Sequence, residues 1–117
     1  MSQVPPVVPY PVLVGQIIQA RRNQMGLHQN QIANAIGLSR SAYSRIESGD
    51  TSMTLSQLRP VARALGLAPS QLLTEADNYA RRLEANGVSI PDVKAVNPAA
   101  LLIGLGLLTA LVAATSG

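Results

Sequence analysis

The stretch from Gly26 to Gly49, GLHQNQIANAIGLSRSAYSRIESG, decides the fold. It holds two short helical patterns on either side of a glycine. In the first, from about Gln29 to Ile36, the apolar residues Ile32, Ala33 and Ile36 recur at helical spacing and the pattern stops at Gly37. In the second, Ser39 is placed to cap a helix running to about Glu47, because its hydroxyl can accept an otherwise orphaned amide hydrogen. Tyr43 and Ile46 turn inward there with Leu38, leaving Arg40, Ser41, Ser44 and Arg45 outward. Two helices of this length around a sharp glycine turn have the spacing of a helix-turn-helix unit, which sets the second helix across the first.

Working outward, the flanks supply more helix. From Leu13 the residues Val14, Ile17, Ile18 and Met25 share one helix side, closed by Gly26. After a loop at Ser48-Gly49-Asp50-Thr51-Ser52, Thr54 caps a fourth helix carrying Leu55, Leu58, Val61, Ala62 and Leu65, with Gly66 as its stop. Pro60 inside it removes a backbone donor, so this helix either bends or begins later. Pro69 opens a fifth helical turn through Leu72 and Leu73. A separate, mostly polar helix is expected from about Glu75 to Ala85, with Tyr79 and Leu83 as its large apolar residues.

The composition agrees with small packed helices. Of 117 residues 47% are hydrophobic but only 3% aromatic, without Phe or Trp, so the core must be Leu, Ile, Val and Ala. Residues 1–12, with Pro5, Pro6, Pro9 and Pro11, read as an extended arm: a flexible tail or, alternatively, a proline-rich ligand for a partner. The arm lacks the basic start and apolar run of a secretory signal, so the expected location is the cytoplasm. Residues 13–73 form the domain, and 74–97 a polar helix and linker.

Positive charge is concentrated in the first half. Arg21, Arg22, Arg40, Arg45, Arg59 and Arg63 face only Glu47 and Asp50 there, whereas Arg81, Arg82 and Lys94 are outnumbered by Glu75, Asp77, Glu84 and Asp92. That imbalance favours a polyanionic partner for the first half. Enzymatic chemistry finds no support. Cysteine is absent, His28 is the only histidine, and there is no glycine-rich phosphate loop or metal-ligand cluster, so neither cofactor nor metal is expected.

Residues 98–117 form an apolar C-terminal helix, and PAALLIGLGLLTALVAA at 98–114 carries no charge. A helix of that length reaches about 25 Å, short of the roughly 30 Å hydrocarbon core. Two readings stand open: membrane insertion through 98–114, tethering the chain to the cytoplasmic face of the inner membrane, or an oligomerisation helix buried between subunits. Gly104 and Gly106 suit close helix packing in either. Lys94, Arg81 and Arg82 agree weakly with a positive-inside orientation.

The coincidence of Gly26-Leu27-His28-Gln29, Ile32-Ala33, Ile36-Gly37-Leu38-Ser39-Arg40-Ser41 and Tyr43-Ser44-Arg45-Ile46-Glu47-Ser48-Gly49 resembles the phage repressor and Cro-like, or XRE, family across roughly Leu13 to Leu73. The resemblance implies an all-α, five-helix lambda-repressor-like domain, here followed by an additional helix and the apolar C-terminal helix. It places Arg40, Ser41 and Arg45 at base-reading positions, Gln29 at a phosphate-holding position, and Arg22 with Glu47 at a structural ion pair. The residue chemistry suits these roles, since a protruding helix fits the major groove and an arginine can form paired hydrogen bonds to guanine. Ser44 joins the outward base-reading face, and Ser39, Ser48, Thr51 and Ser52 can add phosphate contacts. Asp50 departs from the family's basic tendency and is expected to turn away and cap the loop.

The expected function is sequence-specific binding of double-stranded DNA by a transcriptional regulator acting as a homodimer, because one short helix reads too few base pairs alone. An alternative has the layout of membrane-tethered bacterial scaffold proteins, in which the helix-turn-helix domain binds other proteins. Such proteins usually lack a basic reading helix.

Overall fold

The computed structural model describes residues 4–92 and 97–115; Lys94 and the middle of the expected linker lie outside them. Six helices follow in order: α1 (Tyr10–Gln24), α2 (Gln29–Ala35), α3 (Arg40–Ser48), α4 (Leu55–Ala64), α5 (Pro69–Ala85) and α6 (Pro98–Thr115). Among the described residues the only β pairing is an isolated bridge between Val7 and Ser89, so the fold is all-α.

Local chemistry sets the ends of these helices. Ser39 Oγ accepts from the Ala42 N–H (3.1 Å) and starts α3, and Thr54 Oγ1 accepts from the Gln57 N–H (3.2 Å) and starts α4. Gln57 Oε1 in turn accepts from the Thr54 N–H at 3.0 Å, closing a reciprocal box. That box holds the start of α4 at Leu55, and the helix continues through Pro60 rather than beginning after it. Gly49 closes α3 at φ 78°, where an L side chain is strained, and a Cβ there would also meet the Val12 Cα at 2.6 Å.

The core is aliphatic, as the composition required. Leu13, Ile17 and Ile18 of α1, Ile32 of α2, Tyr43 of α3, Val61 of α4 and Leu72 of α5 are all buried. α1 is the central element and packs on α3, α5 and α6. Gly15 allows a close approach of α1 to α3, because a Cβ on it would run into the Ile46 and Glu47 carbonyls at the end of α3. The last turns of α3 are therefore seated directly on the α1 backbone.

Four elements differ from the sequence expectation. α1 begins at Tyr10 rather than Leu13, because Pro9 and Pro11 occupy the cap and first turn, where the absent N–H is no loss. The turn after Pro69 and the polar helix beyond it are one continuous helix, α5, whose inner face runs through Leu72, Ala76, Tyr79, Ala80 and Leu83. The small inward alanines broke the pattern of large apolar residues and hid that continuity.

The third difference is the arm. From Val4 to Pro9 it is extended, but it is fastened. The Val7 N–H donates to the Ala100 carbonyl (3.0 Å), the Val8 N–H to the Ser89 carbonyl (2.9 Å), the Ser89 N–H to the Pro6 carbonyl (3.0 Å) and the Tyr10 N–H to the Pro91 carbonyl (2.7 Å). Val8 is wholly buried, and the Tyr10 hydroxyl donates to Asp77 Oδ1 at 3.0 Å. Partial burial and the neighbouring Asp77 carboxylate push the Tyr10 phenol up to about 12.

The C-terminal helix corrects the membrane expectation. Among the described residues no helix is long and apolar enough to cross a membrane. One side of α6 instead closes the core, with Ala100, Gly104 and Leu108 buried against the arm, α1 and α5.

The fastened arm makes a measurable difference. Val8→Ala is expected to lower stability by about 1–3 kcal/mol, the loss of buried methyl groups plus the space they leave. Chemical denaturation of the full chain checks it; an unchanged midpoint would mean the arm is not part of the folded core.

Candidate nucleic-acid interface

α3 carries its two faces as the pattern of its residues demands. Tyr43, Ile46 and Glu47 are buried, whereas Arg40, Ser41 and Arg45 are exposed and Ser44 is half-buried. The four base-reading candidates thus share the outer side of one helix, with Arg40 at its first position. Arg45 lies one turn further on, and its carbonyl anchors the following loop by accepting from the Thr51 N–H (3.2 Å) and Ser48 Oγ (3.1 Å).

Five residues were candidates for phosphate. Ser39, Ser48, Thr51 and Ser52 are exposed and Gln29 is half-buried. Ser39 accepts the capping bond and also lies 3.4 Å from Ser41 Oγ, where either hydroxyl can donate to the other, so a phosphate would share or replace that contact. Ser48 is more committed, since it donates to the Arg45 carbonyl and accepts from the Asp50 N–H at 3.4 Å. A phosphate would have to replace the first of those bonds. Gln29 donates through Nε2 to Glu47 Oε1 at 3.0 Å, which joins the start of α2 to the end of α3. One N–H of that amide remains for a phosphate oxygen, held in place by the other.

The structure also brings together residues that the sequence treated apart. Arg22, His28, Gln29, Asn30 and Arg40 line one polar basin of about 360 Å³ between the openings of α2 and α3. His28 and Asn30 had no assigned role. Each is an ordinary polar residue in sequence, and only the crossing of the two helices sets them beside Arg40.

Beneath the outer face lies the Arg22–Glu47 pair. Arg22 Nε donates to Glu47 Oε2 at 2.6 Å and Nη2 to Oε1 at 3.0 Å, a two-pronged pair that is almost wholly buried. Arg22 Nη1 donates to the Leu27 carbonyl at 2.9 Å, tying the α1–α2 turn to the same group. Burial by itself would push Glu47 up, but hydrogen bonds from Arg22 and Gln29, the nearby Tyr43 hydroxyl and the Arg22 charge outweigh it and hold the carboxylate below its ordinary value. Its hydrogen bond to Glu47 raises Arg22. Burial, followed by the Glu47 carboxylate, raises the Tyr43 phenol far above an exposed tyrosine. Its oxygen lies near Glu47 but meets no partner at full hydrogen-bond geometry.

This arrangement can hold a helix with two guanidinium groups outward, beside the polar basin. Among the described residues no group of three or more His, Asp or Glu side chains is placed to hold a metal ion.

Comparison with known proteins matches a helix-turn-helix family model to residues 18–72. The restriction-modification controller protein C.AhdI from Aeromonas hydrophila is 33% identical over 52% of this chain and 92% of its own, with a TM-score of 0.50. The chain belongs to the XRE-type helix-turn-helix family. The clp gene regulator ClgR from Corynebacterium glutamicum shares the fold at a TM-score of 0.63, with 23% identity over 68% of this chain and 84% of that one. A point mutant of the restriction-modification controller protein C.Esp1396I shares it at 0.58, with 20% identity over 62% and 95%. No curated protein sequence matches the chain. The family model and these structures describe helix-turn-helix proteins and regulators rather than enzymes.

The ion pair carries a pH signature. Glu47 is held ionised in the fold, while in the unfolded chain it takes up a proton near its ordinary 4.5. Its contribution is therefore complete above that value and is lost as pH falls through the depressed folded value. Arg22→Ala is expected to cost about 3–5 kcal/mol, because it strands a buried carboxylate, and to flatten the acid limb of the stability curve. Urea denaturation at a series of pH values checks both; a parallel loss at every pH would remove Glu47 as the titrating group.

Proposed function

We propose that this chain is a sequence-specific regulator of transcription that binds double-stranded DNA as a dimer, laying α3 in the major groove. The supporting observation is the exposure of Arg40, Ser41 and Arg45 on one side of a helix whose other side is locked to α1. Arginine side chains in that position can pair with the O6 and N7 acceptors of guanine. Ser44 and Ser41 add short polar contacts on the same face. Gln29, Ser39, Ser48, Thr51 and Ser52 then meet the flanking phosphates, which set register without reading sequence. A two-fold dimer would place two such helices about one DNA turn apart, roughly 34 Å, and double the length of sequence read. This reading puts the protein with the DNA, in the cytoplasm of a bacterial or phage-infected cell. The names of its neighbours in fold, a gene regulator and restriction-modification controllers, accord with it.

The scaffold alternative is not favoured. It calls for a membrane span, and among the described residues no helix is long and apolar enough to form one. It also leaves the outward arginines of α3 without a task.

Selection of bound duplexes from a random pool, followed by anisotropy titrations at several salt concentrations, tests the assignment. Arg45→Ala is expected to weaken the selected site by about 1–3 kcal/mol while random duplex loses little. Gln29→Ala should weaken both alike. Failure of the intact protein to hold any duplex at low salt would sink the DNA-binding reading itself.

A further inference from the structure

The outward side of α6 has no counterpart among the described residues. Ala99, Ile103, Gly106, Ala110 and Ala113 are exposed and follow one another at steps of four, three, four and three. That is the alternation of a seam between two helices, in which residues three and four apart face a partner. Leu102 and Leu107 flank the seam, exposed by 72% and 41%, and Ile103 within it by 45%. No charged residue occurs anywhere in α6.

The two glycines of α6 separate inside from outside. A Cβ on Gly104 would collide with the Val7 carbonyl, so the packing of the arm accounts for that residue. A Cβ on Gly106 would meet nothing within 4 Å. Glycine in a helix interior is destabilising by roughly 0.5–1 kcal/mol relative to alanine, and nothing among the described residues offsets it at Gly106.

We infer that this face of α6 is the contact between two copies of the chain, paired about a two-fold axis near Gly106. This rests on the DNA-binding reading only for the requirement of a second copy; the seam itself does not depend on it. Three observations favour a second copy over other occupants. A face without charge, whose hydrogen-bonding side chain is Thr109 at its edge, has little with which to select a different protein, whereas a two-fold contact matches a surface to itself. Lipid would also have to accept Gln16, Gln19 and Asn23 of α1, which line a hollow beside Leu108, Thr109 and Val112 of α6. Full coverage of the exposed parts of Leu102, Ile103 and Leu107 and of the small residues between them on both copies comes to on the order of 1,000 Å², the least that a specific interface clears.

Small side chains at Gly106, Ala110 and Ala113 allow the two helix axes to come close, with Leu102 and Leu107 closing over the sides. α6 packs on α1 and α5, so pairing through its outer face leaves the outward face of α3 free.

The absence of cysteine permits a direct test on the full-length chain. With Gly106→Cys, each thiol would lie beside its own copy, within reach of the Cα separations of about 4.4–6.8 Å that a disulfide spans. Mild oxidation is expected to give a linked dimer. Leu55→Cys, at the 83% exposed start of α4, should stay unlinked. By sedimentation the unmodified chain should be a dimer in the micromolar range, and Gly106→Glu should weaken that dimer by at least about tenfold while leaving the helical circular dichroism of the monomer intact.

A chain that stays monomeric across that range overturns the inference. So does a dimer indifferent to Gly106→Glu, or one linked through Leu55→Cys in place of Gly106→Cys. Binding of monomers to vesicles of phosphatidylethanolamine and phosphatidylglycerol would assign the face to lipid and overturn it too. A dimer that ignores DNA would leave this contact standing and remove the DNA reading, whereas a monomer that retains a half-site would do the reverse.

Discussion

The buried pairing of Arg22 with Glu47 is the constraint on which the rest of the molecule depends. It joins the C-terminal half of α1 to the end of α3, takes in the α1–α2 turn through the Leu27 carbonyl, and reaches the start of α2 through Gln29. A buried ion pair of this sort contributes little net stability against an apolar substitute. Its value here lies in direction. Each of its hydrogen bonds fixes one element relative to another, so the orientation of α3 is set by bond geometry as well as by shape.

Close backbone approach adds a second restraint at the same place. Gly15 and Gly49 remove the side chains that would hold α1 and the end of α3 apart, so α3 sits against α1 along its last turns. The proposed insertion into a groove would need a helix that is rigid without being covered. This one is anchored from beneath by Tyr43, Ile46 and Glu47, and its outer face is left to solvent. Burial and exposure are thus divided across a single helix, and the polar basin beside Arg40 arises because α2 is held to the same anchor.

The arm and α6 extend this small core. A chain with so few aromatic residues has limited apolar area per residue, and the domain gains by enclosing Val8, Val88, Ala100 and Leu108 together with α1 and α5. The parallel pairing of residues 6–8 with Ser89, and of Val7 with Ala100, satisfies backbone groups that a docked arm would otherwise bury unpaired. One side of α6 is absorbed in this way. The other remains apolar and exposed, which couples the fold of the monomer to whatever its outer seam meets.

Much of this was legible from residue order. Helical spacing, the caps at Ser39 and Thr54 and the stop at Gly49 act over a few residues, so α2, α3 and α4 could be placed from sequence, as could the outward set Arg40, Ser41 and Arg45. The Arg22–Glu47 pair was legible through family resemblance, since nothing local links residues 25 positions apart. Tertiary structure alone decided the rest. The prolines of the arm forbid helix before Pro9 but do not say whether the strand is free; its fastening comes from carbonyls near residues 89 and 100, far away along the chain. Uniform apolarity in α6 hid which side faces inward, because a helix without polar residues carries no pattern to orient it. Short-range forces wrote the helices and the outward face of α3 into the sequence, whereas contacts distant along the chain determined what became of both ends.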